Sequence, residues 1–270
     1  MSQPAVAGVL ALVGIGVFFA VLVIRRLRPG LEHADTAASS SVLSYVAAAF
    51  GVLVGFLIVV LLGQANDARH ATGDEATSIG TAFDEAQLFP EAEPDLQHAL
   101  ICYSRAVTER EWPALAEGRS ASEADDAYRE LIAAYGDVDE PTDRTFQPAA
   151  ATNSFVQIGA ISTARETRLV TAEAGLRPLL WIVLLGASAL VLALLFAVSV
   201  SARPLVQALL LGVAGVFTAV LLLLVATLNN PFQEGSGPLT PRLIEQNTAR
   251  MVALAPDVAE RPCPFDERSS

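Results

Sequence analysis

The sequence predicts an all-α integral membrane protein with four transmembrane helices, paired two and two, and an α-helical soluble domain inserted between the second and third. Three observations carry this. Four apolar blocks reach about the 20 residues that a helix needs to cross bilayer hydrocarbon: residues 5–24, 42–62, 179–200 and 205–228. Between the second and third block lie about 115 polar, mostly helix-forming residues, enough for a domain. The mean hydropathy of +0.46 and the 53% hydrophobic content exceed those of an ordinary soluble chain. The organisation is therefore residues 1–62 (helices 1 and 2), 63–177 (acidic soluble domain), 178–228 (a hairpin of helices 3 and 4) and 229–270 (a Pro/Gly-rich tail).

The first block lacks a positive leading region and ends in Arg25, Arg26 and Arg28 instead of a small-residue cleavage site, so it stays as a span. That cluster, with Arg203 between spans three and four, places the arginines in the cytoplasm. The N-terminus, residues 63–177 and the tail are then extracytoplasmic, in a multi-pass protein of the plasma (inner) membrane. The second block, VLSYVAAAFGVLVGFLIVVLL, is uncharged. Gly51 and Gly55 share one helix face and permit close helix packing. Ala48, Val52 and Phe56 form a second stripe at i, i+4, i+8, which could face lipid, a neighbouring helix or a pore. No proline interrupts the helix that follows through residues 64–89, where Asp67, Arg69, Asp74 and Glu75 are expected to face water.

Pro90 and Pro94 end that helix, and a new one starts near Asp95. Its stripe is Leu96, Leu100, Tyr103 and Val107, and it is expected to stop at Glu111-Trp112-Pro113, because proline disfavours helix in the residue before it. Trp112 is expected to be a buried anchor. Ser120 and Glu123 have the spacing of a capping box for a third helix with an apolar face of Ala124, Ala127, Tyr128, Leu131 and Tyr135 and a C-cap at Gly136. Pro141 and Pro148 mark a loop. A fourth helix, about 149–174, sets Phe155, Ile158, Leu169 and Ala172 on one side; Arg165 and Arg168, three apart, could together bind an anion, but the simpler expectation is pairing with Glu166, Glu173 or Asp143. Trp181 suits the membrane interface at the start of span three. The tail opens with Asn230-Pro231-Phe232 and predicts one short helix, residues 241–254.

The soluble domain carries 21 acids against 9 arginines, which argues against nucleic acid as a partner. The chain has no lysine. Cys102 and Cys263 fall on the same side of the membrane; the simpler expectation is one core and one tail cysteine, unpaired, since a disulfide needs both an oxidising compartment and a short Cα separation. No phosphate loop, dinucleotide fingerprint or zinc-protease motif occurs, and His33, His70 and His98 are scattered. No catalytic residue, metal ligand or cofactor is expected. The span interiors carry no ionisable side chain, which disfavours proton-coupled transport. A passive channel with an apolar constriction, or a non-conducting sensor or scaffold whose acidic domain binds a partner, remain.

Taken together, GVLVGF at residues 51–56, Glu85-Ala86, Tyr103…Val107…Glu111-Trp112-Pro113, RETRL at 165–169, PLLW at 178–181 and Asn230-Pro231-Phe232 resemble the bestrophin-like domain family of membrane proteins. More distantly, Val54-Gly55-Phe56 and Asn230-Pro231-Phe232 are similar to motifs of the bestrophin anion channels. That resemblance implies a homo-oligomer, a pentamer among its forms, in the lipid bilayer, with Ala48, Val52 and Phe56 at the pore constriction. It also implies a cytoplasmic soluble region, opposite to the orientation that the arginines predict. Gln233-Glu234-Gly235-Ser236-Gly237 replaces the channels' acidic cluster, so no calcium clasp is expected.

Overall fold

The computed structural model describes residues 3–27, 36–136, 138, 147–233 and 239–267. The expectations for Arg28, His33, Pro141, Asp143 and residues 234–237 fall outside them. Among the described residues the chain is helical throughout, without strands. It divides into two compact units: residues 1–63 with 176–229, and residues 64–175 with 230–270.

The first unit holds α1 (Gln3–Leu27), the leading part of α2 (Thr36–Glu85), α7 (Pro178–Val198) and α8 (Pro204–Asn229). All four helices are long and apolar enough to cross a membrane. One face of α2, with Phe50, Val54, Leu57 and Leu61, packs on Leu184, Val225 and Leu228. On the other side α1 lies along α8 around Val21, Ala208 and Leu211. The α1–α8 approach is set by glycine: a Cβ on Gly14 would stand 2.8 Å from the Val216 side chain, and one on Gly212 would stand 3.5 Å from the Gly14 carbonyl. Small residues at such seams let helices gain dispersion contacts that lipid cannot supply. Arg25 donates to the Ala202 carbonyl at 2.8 Å and to Gln207 Oε1 at 3.0 Å, tying the end of α1 to the α7–α8 turn. Asn229 Oδ1 accepts from the Leu176 amide.

The second unit is built from the rest of α2, α3 (Glu93–Ala106), α4 (Trp112–Ala116), α5 (Ser122–Gly136), α6 (Gln147–Glu173) and three tail helices, α9 (Arg242–Leu254), α10 (Pro256–Ala259) and α11 (Pro264–Glu267). Its main core joins Ile79 and Phe83 of α2, Leu96, Leu100 and Tyr103 of α3, Leu131 of α5, and Ile244 and Met251 of α9. A second cluster closes around Trp112 and Phe232, whose rings meet edge to face at 5.4 Å. The predicted stripe of α3 and the tail helix both form, the latter from Arg242 to Leu254.

Several expectations need correcting. Cys102 and Cys263 are not separate thiols but a disulfide, with Cα atoms 5.5 Å apart, which fastens the tail to α3. Glu75 does not face water; it is fully buried. The helix does not stop at Trp112-Pro113. A wide π turn, Val107–Glu111, inserts one extra residue, and α4 then opens with Pro113 in its first turn. Proline is well tolerated there because a first-turn amide has no intrahelical partner to lose. The Ser120 capping box does not open α5, which starts at Ser122; instead Ser122 Oγ donates to the Glu123 carboxylate at 3.0 Å. Gly136 ends α5 without a left-handed φ, a conformation that Gly118 adopts at +72° among the described residues. Phe155 is 55% exposed; the buried side of α6 runs through Ile158, Ile161, Arg165 and Arg168.

Candidate functional site

Helix α2 contributes to both units, and it carries two sites of interest. In the first unit the packed face of α2 leaves an opposite face bare. Val52 is 75% and Phe56 65% exposed, and with Tyr45, Ala48, Ala49 and Leu53 they line a shallow apolar furrow of about 560 Å³. A Cβ placed on Gly51 or Gly55 would meet nothing within 4 Å, so neither glycine is used for packing within the protomer. A long helix normally buries one stripe. Here the stripe Ala48–Val52–Phe56 and the glycine face are both left without a partner among the described residues. Trp181 is half-buried against the α2 cluster.

In the second unit α2 supplies Glu75 to a closed network of charges. Arg168 donates Nε to Glu75 Oε2 at 2.6 Å, and Nη2 to Glu75 Oε1 at 2.9 Å and Glu111 Oε2 at 3.0 Å. Arg165 donates Nε to Glu111 Oε1 at 2.8 Å and Nη2 to Asp125 Oδ1 at 2.6 Å. Tyr103 adds its hydroxyl to Glu75 Oε1 at 2.6 Å. The arginines do pair, but with Glu75, Glu111 and Asp125 instead of Glu166, Glu173 or Asp143. Arg168 Nη1 has no hydrogen-bond partner among the described residues, and the guanidinium carbon lies 5.6 Å from the centre of the Trp112 ring, a cation–π distance. Burial alone would push the Arg168 guanidinium down, but the charges of Glu75 and Glu111 more than reverse this and hold it above its ordinary value. Burial, then the Glu75 charge, pushes the Tyr103 hydroxyl well up, so it stays a donor. Such a network locks α2, α3, α5 and α6 in one register. It is an internal clasp, its guanidinium groups committed to its own carboxylates.

The remaining predicted residues fall around this clasp. Glu111 ends the π turn, and Trp112 and Pro113 begin α4. Asn230 Nδ2 donates to the Ala116 carbonyl at 2.6 Å, the Pro231 carbonyl accepts from the Leu239 amide at 3.1 Å, and Phe232 is buried against Trp112. The two predicted motifs, Glu-Trp-Pro and Asn-Pro-Phe, are thus halves of one contact. Sequence reasoning missed Glu75 and Asp125. Glu75 was legible from the spacing of Ala68, Thr72, Glu75, Ile79 and Ala82, which places it in the middle of a buried face. His98 is half-buried, with Nε2 3.5 Å from Cys102 Sγ and 3.4 Å from the Arg261 carbonyl. Its ring nitrogen and the two sulfurs lie within 4.8 Å of one another, but the sulfurs are bonded to each other.

Comparison with known proteins agrees with this arrangement. No curated protein matches the sequence. Crystal structures of a bacterial bestrophin homologue from Klebsiella pneumoniae, each with a single mutation, superpose with TM-scores of 0.70. One is 12% identical, covering 95% of this chain and 99% of that one; another is 13% identical, covering 94% and 98%. At that identity the likeness is one of fold. The sequence itself matches the model of the Bestrophin-like domain over residues 10–236, and the chain belongs to that family.

Proposed function

We propose that the protein is an ion channel formed by a homo-oligomer around α2, with Ala48, Val52 and Phe56 as its apolar neck. The observation that carries this reading is the bare face of α2: an apolar stripe and two open glycines, unpartnered among the described residues. In a ring of copies, one side of α2 would line the axis and the glycine side would meet the neighbouring helix. An apolar ring restrains ions because water within it is unfavourable. The four long helices cross the bilayer as two pairs, with residues 64–175 and 230–270 as the soluble part. The Cys102–Cys263 disulfide supports an extracytoplasmic, oxidising location for that part, in line with the arginine cluster. The resemblance implies an anion, whereas the exposed carboxylates of Asp67 and Asp74 on α2 favour a cation; the reversal potential in a salt gradient decides between them.

The test is ion flux in reconstituted vesicles together with stoichiometry in mild detergent. Phe56→Ser should wet the neck and raise flux while the oligomer persists. A monomer or dimer, or no ion passed by either the parent or Phe56→Ser, overturns the channel reading. A second reading, a non-conducting sensor or scaffold, is favoured by one feature. A furrow of about 860 Å³ between α2 and α9 is lined by Arg69, His70, Asp74, Asp84, Asn247 and Arg250, side chains of a kind that could hold a partner.

A further inference from the structure

The seam between α1 and α8 holds a second furrow, of about 690 Å³. Its floor is the close seam itself, where the Val216 side chain lies over Gly14 and Phe18 lies beside Gly212. Its walls are apolar and open: Ile15 is 54%, Phe19 59%, Val213 64% and Phe217 64% exposed. A charge sits in register with it. Ile15, Phe19, Leu22 and Arg26 recur at i, i+4, i+7, i+11, so Arg26 lies on the furrow's side of α1. At 1.5 Å per residue it stands roughly 10 Å beyond Phe19 and roughly 16 Å beyond Ile15 along the helix. The adjacent Arg25 points elsewhere, being held by Ala202 and Gln207, whereas Arg26 is exposed.

We propose that this furrow binds one anionic glycerophospholipid, with an acyl chain laid between Phe19 and Phe217 and the phosphate on Arg26. An open apolar groove between two helices suits a flexible acyl chain. A cation at the helix end sits where an arginine stem reaches the headgroup layer, and an anionic headgroup supplies the complementary charge.

The test uses the full chain in mild detergent, titrated with phosphatidylglycerol or phosphatidylcholine and read by native mass spectrometry. Phosphatidylglycerol should bind about fivefold more tightly, the preference expected of one arginine at a membrane surface. Arg26→Gln should abolish that preference, since the two lipids share the phosphate and differ in net headgroup charge. Arg203→Gln, which alters a cation outside the furrow, should leave the preference intact. Val213→Trp, placed at an exposed wall position, should weaken both lipids by filling the furrow. Equal binding of the two lipids, or a preference untouched by Arg26→Gln, means annular lipid only and overturns the proposal. So does a Val213→Trp variant that keeps lipid but loses its oligomer, which would make the furrow a contact between copies.

Discussion

Replacing Arg168 with methionine is the sharpest test of the buried clasp. The side chain keeps its approximate length and apolar stem, but three charge-assisted hydrogen bonds of 2.6 to 3.0 Å disappear. Glu75, fully buried, is left with Tyr103, and Glu111, also fully buried, is left with Arg165. Removing one partner from a buried ion pair costs about 3–5 kcal/mol, most of it the desolvation of the stranded charge. The second unit spans about 150 residues. For a domain of that size each kcal/mol moves Tm by about 2–4 °C, so Arg168→Met should lower Tm by roughly 6–20 °C. Thermal unfolding of the purified protein, followed by the fluorescence of Trp112 in a Trp181→Phe background, reads the change. Adding Glu75→Gln to Arg168→Met removes the stranded charge and should restore part of the loss, with a coupling of at least about 1 kcal/mol between the two sites. If Arg168→Met melts like the parent, or if the double variant is simply the sum of two losses, then the clasp does not hold the unit together.

Trp112→Ala should cost about 3–5 kcal/mol, since it empties the centre of the Phe232 cluster and uncovers the Arg168 guanidinium; urea unfolding measures it. The disulfide closes a separation of 161 residues, and a chain-entropy argument gives about 5 kcal/mol as an upper figure. Protein from cells, alkylated in denaturant without reductant, should therefore show no reactive thiol, and Cys263→Ser should free the tail to protease. His98 gives a pH signature. Burial first, then the charge of Arg261, holds its imidazole below the ordinary value of about 6.5. The unfolded chain then takes up the proton first, so stability is full above about pH 6.5 and declines as pH falls below it. The pH dependence of Tm should flatten there in His98→Asn.

The helices were legible because their signals are repetitive: 20-residue apolar blocks, and stripes such as Leu96–Leu100–Tyr103–Val107 that bury completely. The clasp was less legible because a charge is read as solvated until the helix face is traced. On α6 the sequence Ile158, Ile161, Arg165, Arg168 keeps the buried face going at i, i+3, i+7, i+10, so the two arginines are core residues by position and polar only by chemistry. Partner choice was beyond sequence, since Glu75 and Arg168 are 93 positions apart and three carboxylates compete locally. Proline at 113 was over-weighted: a single π turn moves it into the first turn of a new helix. For the Ala48–Val52–Phe56 stripe, periodicity supplies the face, and exposure in the protomer adds that no described residue covers it.

The division of the second unit into residues 64–175 and 230–270 has a consequence for biogenesis. A ribosome delivers the first segment, then α7 and α8, and only afterwards Ile244, Met251, Cys263 and Phe265, which complete the core around Ile79 and Leu96. Throughout the synthesis of two hydrophobic helices, the half-made unit must wait with an apolar face uncovered. The clasp offers a reason why it can wait. Glu75, Tyr103, Glu111, Asp125, Arg165 and Arg168 all belong to the early segment, so α2, α3, α5 and α6 can set their register before the tail arrives. The tail then docks onto a prepared surface, and oxidation of Cys102 with Cys263 records that docking as a covalent bond.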